Sequence, residues 1–155
     1  NNLSSAIDLL PTFAGVAGAA LPAHKIDGVN ILPLLKHEKG ARPRTDFCYY
    51  YRKNSLEAVT DGDFKLVFPH PHRTYEGFLP GADGAPGKVN ESHMLEETQL
   101  FDLRRDPGER YNVIELYPEI VTKLERMADN FREDMGDDLK GIEGKNLRPS
   151  GILKE

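Results

Sequence analysis

The chain has 155 residues, of which 39% are hydrophobic and 29% charged, and its formal net charge is −5. This length predicts one domain with a modest core, and interspersed charges without aromatic-basic clusters exclude a typical nucleic-acid surface. The single cysteine, Cys48, excludes an internal disulfide and leaves the redox compartment open, while no apolar run is long enough to cross a bilayer.

The N-terminal segment, residues 1–45, predicts one short helix followed by a loop-rich stretch. Its first residues, Asn1 to Ser4, lack the charged start of a signal peptide, so we expect an internal fragment of a longer protein. A helix is predicted from about Pro11 to Ala17 by an apolar series with helical spacing: Ile7, Leu9, Leu10, Phe13, Val16 and Ala17. Residues 19–45 are rich in proline and glycine and predict little regular structure, apart from a short apolar turn at 31–35.

Three β-strands are predicted next, over residues 47–51, 56–60 and 64–68. Asp61-Gly62 between the last two predicts a two-residue hairpin turn, since both residue types tolerate positive φ. Side chains alternate along a strand, so Phe64, Leu66 and Phe68 should share the core face and Lys65 should point away.

Residues 69–98 form a long polar excursion that is broken by several prolines and glycines. A loop of this length inside a compact domain is either functional or disordered. A strand at 99–103 should then return to complete an antiparallel sheet.

A long amphipathic helix is predicted over residues 118–135, because apolar residues recur there at helical spacing: Ile120, Val121, Leu124, Met127, Ala128, Phe131 and Met135. Pro118 suits its first position, which needs no N–H donor. The helix should cover the apolar face of the sheet, so residues 46–135 form an α+β unit. Residues 136–155 are a polar tail expected to follow the surface or fray.

A turn joins the last strand to this helix and carries the most distinctive sequence in the chain. The run from Leu100 to Asn112, LFDLRRDPGERYN, closely resembles the C-terminal signature of the sulfatase family, the arylsulfatase-like hydrolases of sulfate esters. Three further motifs resemble this family in the same order: IDLLPT at 7–12, DGVNILPLL at 27–35 and GDFKL at 62–66. The resemblance covers about residues 3–135 and only the C-terminal third of the family.

The resemblance implies an α+β fold in which a small antiparallel sheet is packed by a C-terminal amphipathic helix, as in the sulfatase C-terminal subdomain of the alkaline-phosphatase-like superfamily. It implies a missing N-terminal catalytic domain that uses formylglycine and a bound Ca²⁺ or Mg²⁺ to hydrolyse a sulfate ester. Residues 1–45 would pack on that domain, and the exposed 7–17 helix could otherwise bind a second copy of the chain. Periplasmic, secreted or lysosomal location is typical of the family, although these residues do not determine it.

No catalytic residue is assigned to this chain. Arg52 follows Cys48 by four positions, as in the formylglycine motif C-x-P-x-R, but Tyr50 stands where the motif needs proline. Cys48 is therefore interpreted as a half-buried strand cysteine between aromatic residues. We expect this chain alone to be inactive.

Histidines in the 69–98 excursion are the candidate substrate-binding residues. By analogy with the family, in which this loop often lies over the pocket rim, we predict that some of four side chains donate charge-assisted hydrogen bonds to a sulfate ester: His70, His72, Arg73 and His93. A metal site at His70 and His72, completed by Asp83 or His93, is rejected because the segment lacks zinc-ligand spacing and its prolines and glycines make ordering costly.

Other conspicuous groups have structural interpretations. Tyr49, Tyr50 and Tyr51 cannot form one flat carbohydrate platform, because consecutive strand residues point to opposite sides. Asp106 should cap its own turn without a metal ion. The solvated face of the long helix is expected to include Glu125, Arg126, Asp129, Arg132 and Glu133.

Two alternatives to a sulfatase fragment stay open. One is a stand-alone binding or interaction module with the same fold, and the other is a fragment of a related phosphoester hydrolase. The coding sequence upstream of Asn1 would distinguish a sulfatase fragment from a stand-alone module. Assays with aryl sulfate and aryl phosphate esters would distinguish a sulfatase from a related phosphoester hydrolase.

Overall fold

The computed structural model describes residues 2–148. Its helices are α1 (Leu9–Ala17), α2 (Leu32–Leu35) and α3 (Pro118–Met135). Its strands are β1 (Phe47–Tyr51), β2 (Ser55–Thr60), β3 (Phe64–Val67), β4 (His70–Thr74), β5 (Asn90–Leu95), β6 (Gln99–Asp102), β7 (Gly136–Asp137) and β8 (Ile142–Glu143).

The central feature is a four-stranded antiparallel sheet with strand order β1-β2-β3-β6. Strands β4 and β5 form a separate antiparallel hairpin, inserted in the chain between β3 and β6. Helix α3 packs against β2 and β3 on one face of the sheet. The predicted α+β class is therefore confirmed.

The hydrophobic core lies between α3 and the sheet. Alternation along β3 places Phe64 and Leu66 on this inner face, as predicted, and Phe68 follows them into the core. Leu124 and Ala128 are spaced four residues apart on α3 and are fully buried against these side chains. The apolar stripe of the helix and the period-two pattern of the strand thus meet at one interface.

The turn between β2 and β3 differs from its prediction. It contains the three residues 61–63, and only Gly62 has positive φ, at 90°. Asp61 instead accepts hydrogen bonds through Oδ1 from the N–H groups of Asp63 and Phe64. The aspartate side chain therefore organises the turn, which removes the need for a second residue with positive φ.

The DPGE turn after β6 is held by two polar side chains. Oδ2 of Asp106 accepts hydrogen bonds from the N–H groups of Arg110 and Tyr111 at 2.6 and 2.8 Å. This contact confirms that Asp106 caps its own turn. Oδ1 of Asn112 then accepts from the Leu100 N–H at 3.0 Å and fastens the turn to β6.

The N-terminal segment is anchored by a buried ion pair. Asp8 precedes α1 and is fully buried, and its carboxylate accepts hydrogen bonds from both Nε and Nη2 of Arg44. The N–H groups of Ser5 and Val29 donate to the same carboxylate. Asp8 thus joins three separate parts of the loop-rich region, a contact that the sequence analysis did not predict.

Residues 69–98 contain regular structure, contrary to the prediction of an irregular excursion. His72 pairs with His93 in the β4–β5 hairpin, and Thr74 pairs with Asn90. Apart from Pro69 and Pro71, the prolines and glycines of this segment lie in the tip between the two strands, where they do not interrupt the hydrogen bonding. The strands themselves are short and polar, which explains why their pattern did not predict a hairpin.

Arg132 is also placed differently from its prediction, because it is buried and not on the solvated face of α3. Its Nε donates to Oδ2 of Asp137 at 3.0 Å, and its guanidinium carbon lies 4.5 Å from the centre of the Phe68 ring. Asp137 belongs to the β7–β8 ribbon that folds back beside the helix. This tertiary contact removes Arg132 from solvent although its helical position is polar.

The predicted tail, residues 136–155, is described as far as residue 148, and residues 149–155 lie outside the described residues. Beyond the β7–β8 ribbon, the N–H groups of Lys145 and Asn146 donate to carbonyl oxygens at the end of α3. Arg148 then pairs with Asp134 at 2.8 Å. These contacts hold residues 136–148 along the surface.

Candidate functional site

A groove of about 850 Å³ lies on the outer face of the sheet, opposite α3. Its floor includes alternate side chains of β1 and β3, and one wall is the β4–β5 hairpin. The polar and aromatic side chains that line it include Tyr49, Tyr51, Glu57, Lys65, His70, His72 and His93. The groove is therefore the place where the predicted histidines meet the sheet.

A β-bulge brings Glu57 into the groove. The pairing of β1 with β2 shifts register between Tyr49 and Tyr50, so Glu57 has no partner residue on β1. A bulge places two successive residues on one face of a sheet, and both Glu57 and Ala58 line the groove. The carboxylate of Glu57 thereby reaches the hairpin.

His70 connects the hairpin to the sheet. Its Nδ1 lies 2.6 Å from the carbonyl oxygen of Phe68, and its Nε2 lies 3.2 Å from Oε2 of Glu57. Both oxygens are acceptors, so His70 donates to both only when both ring nitrogens carry a proton. The side chain is buried, and its role in this arrangement is to hold the wall of the groove.

His72 and His93 lie next to each other further along the hairpin. Their ring centres are 5.1 Å apart in an edge-to-face arrangement, and the His70 ring is 5.5 Å from that of His72. Nδ1 of His72 is buried but has no hydrogen-bond partner within the described residues. The His93 side chain is exposed. The rings of His72 and His93 both line the groove, and Nδ1 of His72 is the buried ring nitrogen without a partner among the described histidines.

Lys65 lies at the other side of the groove, where the Glu109 carboxylate balances its positive charge. Its Nζ donates to both carboxylate oxygens of Glu109 at 2.9 and 2.8 Å and lies 4.7 Å from the centre of the Tyr49 ring. Glu109 belongs to the DPGE turn and has a φ of 53°, which is unusual for a residue other than glycine. Burial, followed by the nearby Glu109 carboxylate, raises the pKa of Tyr49, so its phenol stays uncharged.

Arg73 does not line the groove, although it shares an adjoining pocket of about 360 Å³ with His72. It follows His72 on β4 and pairs with Glu91 at 2.8 Å. Both side chains of this pair are 59% exposed. The structure thus brings together three of the four predicted residues, namely His70, His72 and His93.

Glu57, Lys65 and Glu109 were not identified from the sequence. Lys65 could have been found, because it alternates with core residues of β3 and had to face the opposite side. The sequence contains no recognisable signal for the bulge that redirects Glu57. Glu109 was visible in the signature turn, but the path of that turn back to β3 depends on tertiary packing.

Cys48 is half-buried between aromatic residues, as predicted from the sequence. Burial raises the pKa of its thiol to about 12, so the thiol is protonated and a poor nucleophile at neutral pH. Within residues 2–148, no group of three or more His, Cys, Asp or Glu side chains could hold a metal ion. The residues present therefore do not fit a catalytic cation, and we assign no metal-dependent step to them.

The family description "C-terminal region of aryl-sulfatase" matches residues 43–150. Arylsulfatase A of Bos taurus is 36% identical over 125 residues, covering 78% of this chain and 24% of the relative. N-acetylgalactosamine-6-sulfatase of Canis lupus familiaris is 35% identical over 138 residues, covering 83% of this chain and 26% of the relative. This helix-covered sheet and its signature turn therefore define a C-terminal sulfatase region, and the chain belongs to the sulfatase family.

The same architecture occurs in solved structures. A putative sulfatase from Bacteroides thetaiotaomicron VPI-5482 superposes with a TM-score of 0.56 at 22% identity, covering 92% of this chain and 27% of that structure. The chain thus spans about a quarter of the length of the relatives that it matches. No helix among residues 2–148 has the length and apolar character needed to span a membrane.

Proposed function

We propose that this chain is the C-terminal part of a sulfuric ester hydrolase and forms one wall of its substrate pocket. The observation that carries the proposal is the uncovered sheet face, which holds a groove with clustered histidines in a chain of the sulfatase family. Residues 46–135 would form the wall, and residues 1–45 would pack on the catalytic region. The reactive centre would lie outside this chain.

The exposed face of α1 supports this arrangement. Phe13 and Val16 are 63% and 64% exposed, and Leu10 is 54% exposed. An apolar helix face of this kind is typical of a surface that another protein region covers. The catalytic region is the proposed occupant, and a dimer through residues 7–17 that persists in the longer protein would contradict this assignment.

The chain's own part in the reaction would be to bind and orient substrate. When present in the catalytic region, formylglycine and a Ca²⁺ or Mg²⁺ ion supply the nucleophile and stabilise developing negative charge. His72 and His93 would donate hydrogen bonds to substrate oxygens from the pocket wall. His70, tied to Glu57, would hold the hairpin in place for these contacts.

The proposed substrate class is a sulfated carbohydrate. One matching relative is an N-acetylgalactosamine-6-sulfatase, so the family includes enzymes that act on a sulfated sugar. Tyr51 is 68% exposed at the groove, and an aromatic ring of this kind can stack on the apolar face of a sugar. The histidines would meet the sulfate group of the same ligand.

The test begins with the coding sequence upstream of Asn1. A C-x-P-x-R motif and Asp and Asn metal ligands are expected there, whereas a start codon directly before Asn1 would favour a stand-alone module. The longer protein should hydrolyse an aryl sulfate ester faster than the matching aryl phosphate ester, and the present chain should hydrolyse neither. Preference for the phosphate ester, or sulfate release by the present chain, would overturn the proposal.

A further inference from the structure

We propose that residues 144–148 form a strap that clasps the N-terminal segment to the end of α3 through Arg148, and that this clasp sets how firmly α1 is held. The clasp consists of ion pairs between distant parts of the chain, so it opens when those charges are removed or screened. Its consequence for the docking of α1 on the catalytic region rests on the proposed function. The clasp itself belongs to the present chain.

The strap is fixed to the C-terminal end of α3 by its backbone. The N–H groups of Lys145 and Asn146 donate to carbonyl oxygens in the last turn of the helix at 3.0 and 2.8 Å. Gly144 approaches so closely that a Cβ at this position would lie 2.3 Å from the carbonyl carbon of Met135. The backbone therefore places Arg148 beside the end of α3.

Asp134 is the central acceptor of the clasp. Its Oδ2 accepts hydrogen bonds from Nη2 of Arg148 at 2.8 Å and from Nζ of Lys25 at 2.7 Å. Only 18% of the Asp134 side chain and 24% of the Arg148 side chain are exposed, so solvent screens this pair less than a pair at the open surface. The hydrogen bonds from Arg148 and Lys25 hold the pKa of the Asp134 carboxyl well below its usual range, so it is ionised at neutral pH.

The position of Asp134 explains why positive groups gather there. It lies in the last turn of α3, where the helix dipole already places partial negative charge. A carboxylate at this end of a helix is unfavourable until cations approach it. Lys25 and Arg148 supply these cations from two distant parts of the chain, and the attraction draws the N-terminal segment and the strap to one point.

Asp27 connects the clasp to the start of α1. Its carboxylate accepts hydrogen bonds from Nε and Nη2 of Arg148, with the Nε contact at 3.1 Å. Its backbone carbonyl oxygen accepts from Nη2 of Arg44 at 2.9 Å. The next residue, Gly28, lies so close to the residues before α1 that a Cβ would be 2.0 Å from the carbonyl oxygen of Ile7. Movement of Asp27 would therefore disturb the residues that position the helix.

The loop after Asp27 is the main connection that positions α1. Within the described residues, α1 does not pack extensively on the sheet or on α3. The N–H group of Val29 donates to Oδ1 of Asp8 at 2.9 Å. The N–H group of Ile31 donates to Oγ1 of Thr12, which lies in α1, at 3.0 Å. Exchange of these two amide protons reports whether the loop stays closed on the helix.

The experiment measures hydrogen–deuterium exchange of the Val29 and Ile31 amides in the present chain by NMR. Arg148→Gln removes the charge from the clasp and keeps the backbone of the strap. It should speed exchange of both amides at least about threefold, because two partly shielded ion pairs are lost. The matched control is Lys145→Gln, which breaks an exposed pair with Glu133 in the same strap and should leave both exchange rates unchanged.

A second variant tests the path through Asp27. Asp27→Ala removes the carboxylate and keeps the backbone carbonyl group. It should speed exchange in the wild-type background and add little in the Arg148→Gln background, because both changes break the same pair. Full additivity of the two changes would overturn the path through Asp27.

Salt tests the clasp without any substitution. Lys25 and Asp27 are 60% and 39% exposed, so their contacts are open to screening. Raising NaCl from about 0.1 M to about 1 M shortens the Debye length from about 10 Å to about 3 Å. Exchange of both loop amides should therefore accelerate in the wild type and change much less in Arg148→Gln. The amide of Leu66, in the core, is the reference in each sample.

Three outcomes would overturn the clasp: unchanged exchange in Arg148→Gln, equal acceleration by Lys145→Gln, or salt-independent exchange in the wild type. Circular dichroism checks that each variant is folded. None of these measurements involves hydrolysis of a sulfate ester. Absence of sulfatase activity in the longer protein would contradict the proposed function, whereas the exchange rates test the clasp alone.

Discussion

The buried ion pair between Asp8 and Arg44 provides the sharpest test of how the N-terminal segment is held. Replacing Asp8 by alanine removes a fully buried carboxylate that accepts hydrogen bonds from Arg44, Ser5 and Val29. The Arg44 side chain is only 7% exposed, so the variant leaves a buried positive charge without its partner. The expected effect is therefore much larger than the loss of a surface contact.

Breaking a buried ion pair by removing one partner costs about 3–5 kcal/mol. Because small domains are stabilised by only about 5–15 kcal/mol in total, this loss is a large part of the free energy of unfolding. For a chain of this size it should lower Tm by roughly 6–20 °C. The double variant Asp8→Ala with Arg44→Met should recover part of the loss, because it removes both buried charges.

The assay is urea denaturation followed by circular dichroism, with the free energy of unfolding obtained by linear extrapolation. The matched control is Glu91→Ala, which breaks the exposed pair with Arg73 and should cost less than about 1 kcal/mol. An Asp8→Ala variant no less stable than Glu91→Ala would refute the reasoning. Equal stability of the single and double Asp8 variants would show that the buried Arg44 charge carries no penalty.

The pH dependence gives an independent check on Asp8. Burial alone would raise the pKa of its carboxyl, but hydrogen bonds from Arg44, Val29 and Ser5 outweigh burial and lower it below 3.8. The contribution to stability is therefore present above the unfolded pKa and is lost as the pH falls through the lower, folded pKa. The stability gap between wild type and Asp8→Asn should be constant from about pH 6 to about pH 8 and shrink in acid.

Three further predictions test the core, a close backbone contact and the cysteine. Leu66→Ala removes a fully buried side chain and should cost about 2–5 kcal/mol by urea denaturation, whereas Leu116→Ala, at 70% exposure, should change stability by less than about 0.5 kcal/mol. Gly28→Ala would place its new Cβ 2.0 Å from a backbone carbonyl oxygen and should lower Tm, while Gly108→Ala, whose nearest neighbour is at 3.6 Å, should leave it almost unchanged. Equal Tm values for these two variants would contradict the close contact. Cys48 should react with iodoacetamide at pH 8 only after unfolding in urea, because burial raises the pKa of its thiol to about 12. Rapid labelling of the folded chain would contradict this protected environment.

The histidine cluster illustrates how far the candidate site could be predicted from the sequence. The spacing of His70 and His72 placed both on one side of an extended segment, and the structure has them on β4. Their proximity to His93 required the pairing of β4 with β5 across a loop whose composition hid the hairpin. Arg73 carried the same chemical argument as the histidines, but in the structure it pairs with Glu91 and does not line the groove.

The sequence by itself determined the elements whose signals are local. Period-two apolar residues defined β3, helical spacing defined α3, and the DPGE turn with its capping Asp106 identified the family. These features depend on residues that are close along the chain, so their physical causes can be recognised without knowing the fold.

Only the tertiary structure decided which distant polar groups meet. The bulge at Glu57, the burial of Arg132 by Asp137 and the pairing of Asp8 with Arg44 each join separate chain segments or depend on how the sheet is assembled. The sequence alone does not distinguish a charged residue that will be solvated from one that will be buried and paired. Its environment is determined by the packing of the rest of the chain, because burial and partners arise only when those segments come together.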